Sequence, residues 1–205
     1  MARPQLHSRE EILDAARTLV LDSGARAATL NAIADASGVP KGSIYHRFTS
    51  LDELLADMWI RAVRRSQATF IAALDDPEPM DAAIAGALSI HDFARSELSD
   101  ARLLAALRRE DLMETFGSQR VRHELTELNR PLQNALAGLA HRLLGNRTRE
   151  AIELTVCAVV DLPMGATRRH LIAGSSIPDT VRPQLEAAVR AALVGFGASE
   201  GDREG

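Results

Sequence analysis

The sequence predicts an all-α protein, with about nine helices judged by the spacing of its apolar residues. Ala, Leu and Arg dominate the composition and aromatic residues make up only 3%, which favours helices over strands. Apolar residues recur three and four positions apart, and no segment alternates with the two-residue period of a strand. Capping residues and Gly or Pro breaks separate these segments, so each segment is predicted to be one helix.

The first predicted helix begins at Ser8, because Glu11 three residues later completes a capping box. Gly24 ends it, since glycine readily adopts the left-handed conformation that follows a helix. Residues 1–7 are expected to form a loose arm. The predicted core face of this helix, at helical spacing, consists of Ile12, Ala16, Leu19 and Val20.

Two short helices joined by a tight turn are predicted between Thr29 and Phe48. Thr29 is a favourable N-cap for the first of them. Gly38 lies at the turn, where glycine takes a left-handed backbone without strain, and Pro40 suits the first turn of the second helix. Ile44 and Phe48 are four residues apart, so they share the inward face of the second helix.

The opposite face of this second helix is small, polar and able to form hydrogen bonds, which suits a major groove about 12 Å wide. Tyr45 and Lys41 are predicted to hold phosphates, while Ser43 and His46 could reach either base edges or phosphates. Thr29 would offer its hydroxyl or the adjacent amide to a phosphate at a helix N-terminus. The predicted DNA-binding residues are therefore Thr29, Lys41, Gly42, Ser43, Tyr45 and His46.

A long fourth helix is predicted from Ser50, where Glu53 completes another capping box, to about Leu74. The segment 75–79 then breaks the chain with two prolines. Pro131 and Pro163 are expected to kink two of the later helices. By apolar spacing, these later helices cover about 81–97, 100–113, 118–144, 148–172 and the segment after Pro178.

Composition limits the classes of function. The net charge is −4, but residues 1–50 hold six Lys/Arg against five Asp/Glu, whereas the remainder holds 18 against 23. Charge placement must therefore supply any affinity for nucleic acid. Cys157 is the only cysteine, so no internal disulfide is expected. There is no apolar signal segment and no apolar run near the roughly 18 residues of a membrane span, so we expect a cytoplasmic protein without a membrane partner.

Eleven residues of the paired-helix segment match one known motif as a set: Thr29, Ile33, Ala34, Gly38, Val39, Lys41, Gly42, Ile44, Tyr45, His46 and Phe48. Together they resemble the helix-turn-helix of the tetracycline-repressor (TetR) family of bacterial transcription regulators. With the flanking helices, the similarity covers roughly residues 8 to 60. The chain departs from the family at Leu51, where the family usually has a lysine that meets a DNA phosphate.

The resemblance implies two domains. A helix-turn-helix DNA-binding domain would occupy residues 1–49, with the start of the fourth helix as a connector. A helical effector-binding and dimerisation domain would occupy residues 50–198. The polar segment 199–205 is expected to be a disordered tail.

A homodimer is expected for two reasons. The predicted helix over about 148–172 is apolar around much of its circumference, which indicates burial on both sides. One short recognition helix contacts few base pairs, whereas a twofold pair reads a palindrome. The resemblance implies a four-helix interface built from the last two helices of each subunit. The predicted interface residues are Ile152, Val156, Val159, Val160, Leu185, Val189, Leu193 and Phe196.

The resemblance also implies a pocket for a small organic effector in the second domain. A mostly apolar lining favours an apolar or amphipathic molecule. For each candidate, core packing or a surface position is the alternative; His91 would then be a core histidine, and the methionines would fill gaps. The candidate lining residues are Trp59, Phe70, His91, Phe93, Arg108, Met113, Phe116 and Met164.

The predicted function is a DNA-binding transcriptional regulator, a repressor that a small-molecule effector releases from a palindromic operator; an activator would use the same parts. The alternative is an effector-independent DNA-binding protein or helical adaptor. The sequence disfavours an enzyme, because its histidines are scattered and no HExxH, GxSxG, P-loop or paired-carboxylate motif is present. No cofactor and no metal site are expected.

Overall fold

The computed structural model describes residues 9–107 and 119–201, with side chains up to residue 195. Within these ranges the protein is helical and has no strand, which confirms the predicted fold class. None of the helices in this part of the chain combines the length and apolar character that a membrane crossing requires.

The helices follow one another with short connections. A 3₁₀ turn, Ala25–Ala27, precedes the second helix, and a π-helical turn, Cys157–Asp161, joins the ninth to the tenth. In chain order the α-helices are α1 (Arg9–Ser23), α2 (Leu30–Ser37), α3 (Lys41–Tyr45), α4 (Leu51–Ala73), α5 (Pro79–Ser96), α6 (Leu98–Ala106), α7 (Gln119–Glu127), α8 (Arg130–Leu144), α9 (Arg149–Val156), α10 (Leu162–Ala173) and α11 (Val181–Gly201).

The chain forms two compact units. The N-terminal unit contains residues 1–63 and 102–128, and the C-terminal unit contains residues 64–101 and 129–205. This division differs from the boundary expected after residue 49, because part of α4 and all of α7 pack with α1–α3. α11 continues to Gly201, so residues 199–201, which were expected to begin a disordered tail, are helical. Residues 202–205 lie outside the described residues.

The core of the N-terminal unit joins helices that are far apart in sequence. Leu13 is buried on α1, whereas Leu19, expected in the core, is only partly buried. The predicted capping residue Ser8 lies outside the described residues. The fully buried large side chains of this core are Ile12, Leu13, Ile33, Ile44, Phe48, Leu54, Met58, Ile60, Leu103 and Leu125.

The helix expected over residues 118–144 is in fact two helices. α7 ends at Glu127, α8 begins at Arg130, and Pro131 occupies the first turn of α8. Proline lacks an amide hydrogen, and its ring clashes with the carbonyl four residues earlier, which here belongs to Glu127. The chain therefore breaks at this point instead of kinking.

The proline in the next long helix is accommodated differently. Pro163 lies in the first turn of α10, directly after the π-helical turn. A proline cannot donate to the carbonyl of Val159, four residues earlier. A π-helical turn changes the bonding register locally, so the chain stays helical from Arg149 to Ala173.

α5 is the central helix of the C-terminal unit, where it packs against α8, α10, α11 and the π-helical turn. Its first turn is capped by Glu78, which accepts a hydrogen bond from the Met80 amide at 3.2 Å, and Pro79 follows the cap. Small residues line much of its buried face. Ala82, Ala83 and Ala87 are completely buried, which allows neighbouring helices to approach closely.

Gly86 of α5 packs closely against side chains at the C-terminal end of α4. A Cβ atom at Gly86 would lie 2.6 Å from Leu74 Cδ2 and 3.4 Å from Phe70 Cε2. Both neighbours are buried in the C-terminal core, so they have little room to move aside.

The substitution Gly86→Ala is therefore expected to destabilise the protein, because overpacking costs about 1–3 kcal/mol against a helix-propensity gain of about 1 kcal/mol. The matched control is Gly138→Ala in α8, where a new Cβ meets no atom within 4 Å and the propensity gain should appear. Thermal unfolding of both variants measures the difference. A higher midpoint for Gly86→Ala than for Gly138→Ala would contradict the close packing.

Candidate nucleic-acid interface

The turn between α2 and α3 has the predicted geometry. The Thr29 hydroxyl accepts from the Ala32 amide at 3.2 Å, as an N-cap. Gly38 has φ 68°, a left-handed conformation that favours glycine. The Ser37 hydroxyl donates to the Ile33 carbonyl at 2.6 Å and accepts from the Val39 amide at 3.3 Å, which closes the turn.

α3 is shorter than predicted. Pro40 precedes α3 and does not lie within its first turn; its carbonyl accepts from the Ser43 amide at 2.8 Å. α3 ends at Tyr45, and Phe48 lies beyond it, although the Phe48 amide still bonds to the Ile44 carbonyl at 2.9 Å. Arg47 donates to the Ser43 carbonyl at 2.9 Å and so supports the C-terminal end of α3.

Two buried side chains orient α3. Ile44 and Phe48 are each 1% exposed and belong to the N-terminal core. Val39 is equally buried just before α3. With these side chains fixed inward, the opposite face of α3 must point outward.

The outward face carries the predicted DNA-binding residues. Tyr45 is 59% exposed, and Lys41, Gly42 and His46 are also exposed, whereas Ser43 is partly buried. Thr29 is exposed at the start of α2. No Asp or Glu occurs from residue 36 to residue 51, so this face has no acidic side chain of its own to repel phosphates.

Leu51 begins α4 and packs partly against the N-terminal core. An apolar side chain in this position cannot hold a phosphate. The adjoining α4 N-terminus is capped within the protein, since the Ser50 hydroxyl accepts from the Glu53 amide at 3.1 Å. The Glu53 carboxylate in turn accepts from the Thr49 amide at 2.7 Å. The expected capping box therefore forms with the Thr49 amide, and not the Ser50 amide, as the donor to Glu53.

An ion-pair network centred on Asp57 holds α1, α4 and α7 together. The Asp57 side chain is only 5% exposed and pairs with Arg9 of α1. Arg120 of α7 lies 3.5 Å from Asp57 and also pairs with Glu53. Arg9 additionally lies over the Phe48 ring, with Cζ 5.4 Å from the centroid. The network therefore reaches from α7 to the residue that anchors α3.

The network also affects ionisation. Partial burial raises the pKa of the Glu53 carboxyl, but hydrogen bonds from Thr49 and the charge of Arg120 lower it more, so the net shift is downward. A lowered pKa means that ionised Glu53 stabilises the folded state at neutral pH, and this contribution is lost as the pH falls through the lowered pKa. The sequence alone did not predict this network, because no local pattern pairs Arg120 with Asp57 and Glu53, which lie 63 and 67 positions earlier in the chain.

The candidate effector residues are distributed over both units. Trp59 lies in the N-terminal unit, where its indole N–H donates to the Leu107 carbonyl at 3.2 Å. Phe70 and Phe93 are buried in the C-terminal unit, and Met164 is 47% exposed. Arg108, Met113 and Phe116 lie outside the described residues. Of the five described candidates, Trp59 lies in a different unit from the other four, so the effector pocket stays a prediction.

His91 is the most unusual of these candidates. It is completely buried on α5, with Nδ1 2.9 Å from the Asp92 carboxylate, and Arg182 of α11 lies 3.2 Å from the same oxygen. Burial raises the pKa of Asp92, but the hydrogen bonds from His91 and Arg182 outweigh burial and lower it. His91 Nε2 is buried without a hydrogen-bond partner among the described residues, so the ring is only half satisfied.

The predicted dimer-interface residues differ in their burial within one chain. Val159, Leu185, Val189 and Leu193 are buried in the core of their own C-terminal unit, so they have no surface to offer a second subunit. Ile152, Val156 and Val160 are partly buried, and the Phe196 side chain lies outside the described part of the chain. Among the described side chains of α10 and α11, the large apolar ones that are exposed are Leu162 (37%), Met164 (47%), Ile172 (61%) and Val194 (60%).

Comparison with known proteins shows which regulators this chain is similar to. Residues 12–58 match the model of the bacterial regulatory proteins of the tetR family. The chain is 27% identical over 188 residues to the HTH-type transcriptional repressor KstR2 of Rhodococcus jostii. The matched region covers 88% of each protein.

Solved structures share the fold. A transcriptional regulator from Pseudomonas aeruginosa PAO1 superposes with a TM-score of 0.71 at 18% identity, covering 95% of this chain and 92% of the other. The ketosteroid transcriptional regulator KstR2 of Mycobacterium tuberculosis superposes with a TM-score of 0.65 at 15% identity, covering 95% and 98%.

An all-helical fold with a capped helix-turn-helix, whose second helix turns a polar face outward, defines a DNA-binding transcriptional regulator. The matched family model covers this helix-turn-helix, and the similarity to KstR2 of Rhodococcus jostii extends to 88% of the chain. The chain is therefore similar to the TetR family of transcriptional regulators, whose helix-turn-helix model residues 12–58 match.

The Asp57 network predicts a stability difference. Asp57→Asn removes the charge that Arg9 and Arg120 share and should destabilise the N-terminal unit by about 1–3 kcal/mol, the range for a charged hydrogen bond. Arg149→Gln is the control, because Arg149 and Glu153 form an exposed pair that should leave stability unchanged. Urea unfolding followed by fluorescence of Trp59, the only tryptophan, measures both. Equal midpoints for Asp57→Asn and wild type would contradict a stabilising network.

Proposed function

We propose that this protein is a repressor that binds a palindromic DNA operator as a homodimer and releases it when a small organic effector binds. The observation that carries the proposal is the outward face of α3, where Lys41, Tyr45 and the adjoining His46 are exposed while the other side of the helix is fixed in the core. A curated relative, KstR2 of Rhodococcus jostii, is named as a repressor.

Each residue on this face has a role in the proposal. Tyr45 and Lys41 hold phosphates, and Ser43 and His46 reach phosphates or base edges. Gly42 allows the α3 backbone to approach the duplex, since a side chain there would hold it away. Thr29 positions the N-terminus of α2 toward a phosphate.

The proposed dimer uses α10 and α11, which pack against each other. Both helices bury one apolar stripe in their own unit and expose other apolar residues, among them Ile172 and Val194. Exposed apolar surface of this kind favours association. A second subunit would also supply the second α3 that a palindrome requires.

The proposed effector acts by a population shift. It must bind more tightly to the dimer whose two α3 helices are spaced poorly for the operator, since a ligand with equal affinity for both states shifts nothing. A coupling of about 1–3 kcal/mol is typical of such switches. Because the candidate lining residues are mostly apolar, we expect an apolar or amphipathic effector.

His91 is the polar group we favour as an effector contact. Its Nδ1 faces the Asp92 carboxylate at 2.9 Å and therefore donates, which leaves a lone pair on Nε2 in the neutral ring. An effector hydroxyl or N–H that reached Nε2 would satisfy a buried atom that otherwise lacks a partner among the described residues.

An effector-independent DNA-binding protein is the second candidate. The same outward face of α3 supports it, because DNA binding does not require a pocket. Salt-dependent binding without sequence preference would favour this candidate over the repressor.

The first test is Tyr45→Ala. Operator affinity should fall by about 1–3 kcal/mol per subunit, the usual cost of one DNA contact, while the oligomeric state stays the same. The probe is a duplex enriched from a random-sequence library by binding to the wild-type protein. Leu98→Ala is the control, because Leu98 is also exposed, at 46%, but lies in the C-terminal unit. Unchanged affinity of Tyr45→Ala would remove Tyr45 from the interface.

The second test concerns the dimer. Ile172→Glu combined with Val194→Glu places charges on the exposed apolar faces of α10 and α11 and should shift the protein to a monomer with weaker operator binding. Leu98→Glu adds the same kind of charge to another exposed apolar position and should leave the dimer intact. Sedimentation equilibrium measures the mass of each. A wild-type protein that sediments as a monomer, or a double variant that remains a dimer, contradicts the proposed interface.

A further inference from the structure

The cations of residues 9–63 fall into two groups. Arg9 pairs with Asp57, Arg17 lies 3.1 Å from Asp14, and Arg61 lies 2.6 Å from Asp14. Arg47 is held by the Ser43 carbonyl. The two remaining cations of this segment, Arg26 and Lys41, are exposed and have no ion-pair or hydrogen-bond partner among the described residues.

This difference matters for binding a polyanion. A paired arginine must exchange its carboxylate or carbonyl for a phosphate, so little charge attraction is gained. An unpaired, exposed cation gives up no such partner and releases counterions from the DNA when it binds. Arg26 and Lys41 are thus the two cations of this segment that can bind a phosphate without first losing a partner among the described residues.

The position of Arg26 is set by the turn between α1 and α2. Gly24, with φ 83°, redirects the chain after α1, and Arg26 lies in the 3₁₀ turn that follows. Ala28 is 1% exposed and anchors the turn to the core. Three peptide units separate Arg26 from Thr29, so their Cα atoms are at most about 11 Å apart.

The charge of Arg26 is not neutralised by its closest acidic neighbour in sequence. Asp22, in the last turn of α1, is exposed and forms no ion pair with Arg26 in the described structure. The turn at Gly24 separates the two residues. Arg26 therefore presents a full charge beside the N-terminus of α2.

We propose that Arg26 binds a DNA phosphate next to the one held at the N-terminus of α2, and so extends the contact surface beyond α3. The inference rests on the docking of α3 proposed above. Phosphates supply one charge per about 1.7 Å of duplex axis, so an arginine at the edge of the docked surface finds a partner whatever the sequence. Arg26 contributes affinity and leaves base preference to α3.

The experiment compares Arg26→Gln, Arg26→Lys and the control Arg147→Gln, which removes an exposed arginine of the C-terminal unit. Fluorescence anisotropy measures binding to the enriched operator duplex and to a shuffled duplex across a range of salt concentrations. Arg26→Gln should weaken binding to both duplexes by the same factor. The slope of log K against log salt should fall by about 0.9 for each phosphate that the variant no longer neutralises.

Arg26→Lys should keep the wild-type slope, because it keeps the charge, and Arg147→Gln should keep both slope and affinity. An Arg26→Gln protein with the wild-type slope overturns the proposal, and so does an equal effect of Arg147→Gln. A loss of affinity confined to the operator duplex also overturns it, because it would indicate base reading. If the wild-type protein enriches no sequence at all, the proposed operator function fails, whereas the salt slope on a duplex of arbitrary sequence still tests Arg26.

Discussion

The burial of Ile44 and Phe48 is the constraint on which the rest of this structure depends. α3 has only five residues, too few to be stable by its own hydrogen bonds. Its conformation is maintained by two side chains, each 1% exposed, in the N-terminal core, and by the left-handed Gly38 that sets its direction. Because these anchors lie on one side, the polar side of α3 faces outward in a fixed orientation. A binding site requires its contacting side chains to be held in such a fixed orientation.

The ion pairs around Asp57 extend this constraint to α7. A nearly buried carboxylate is costly unless it is paired, and Asp57 is paired by arginines from α1 and α7. α7 therefore belongs to the same unit as α3, although more than 70 residues separate them.

In the C-terminal unit, α5 is the helix against which α8, α10 and α11 pack. Its small residues, Gly86 above all, allow close contact with α4, and its neighbours α10 and α11 bury one stripe each. What those two helices leave exposed is apolar at Ile172 and Val194. On α11, Leu185, Val189 and Leu193 form a stripe buried in the chain's own core, whereas Val194 is exposed. The apolar periodicity of the sequence could not tell these two surfaces apart, so it selected the residues of the buried stripe for the predicted interface.

The sequence by itself determined the fold class, the helix-turn-helix and the side chains that α3 turns outward. These features depend on local rules, namely helical periodicity, the Thr29 cap and the Gly38 turn, which act within a few residues. Tertiary structure alone decided the Asp57 network, the division into units, the break before Pro131 in place of a kink, and which stripe of α11 is buried. Periodicity shows that a helix has an apolar face, but burial and ion pairing depend on partners distant in sequence, which no local pattern specifies.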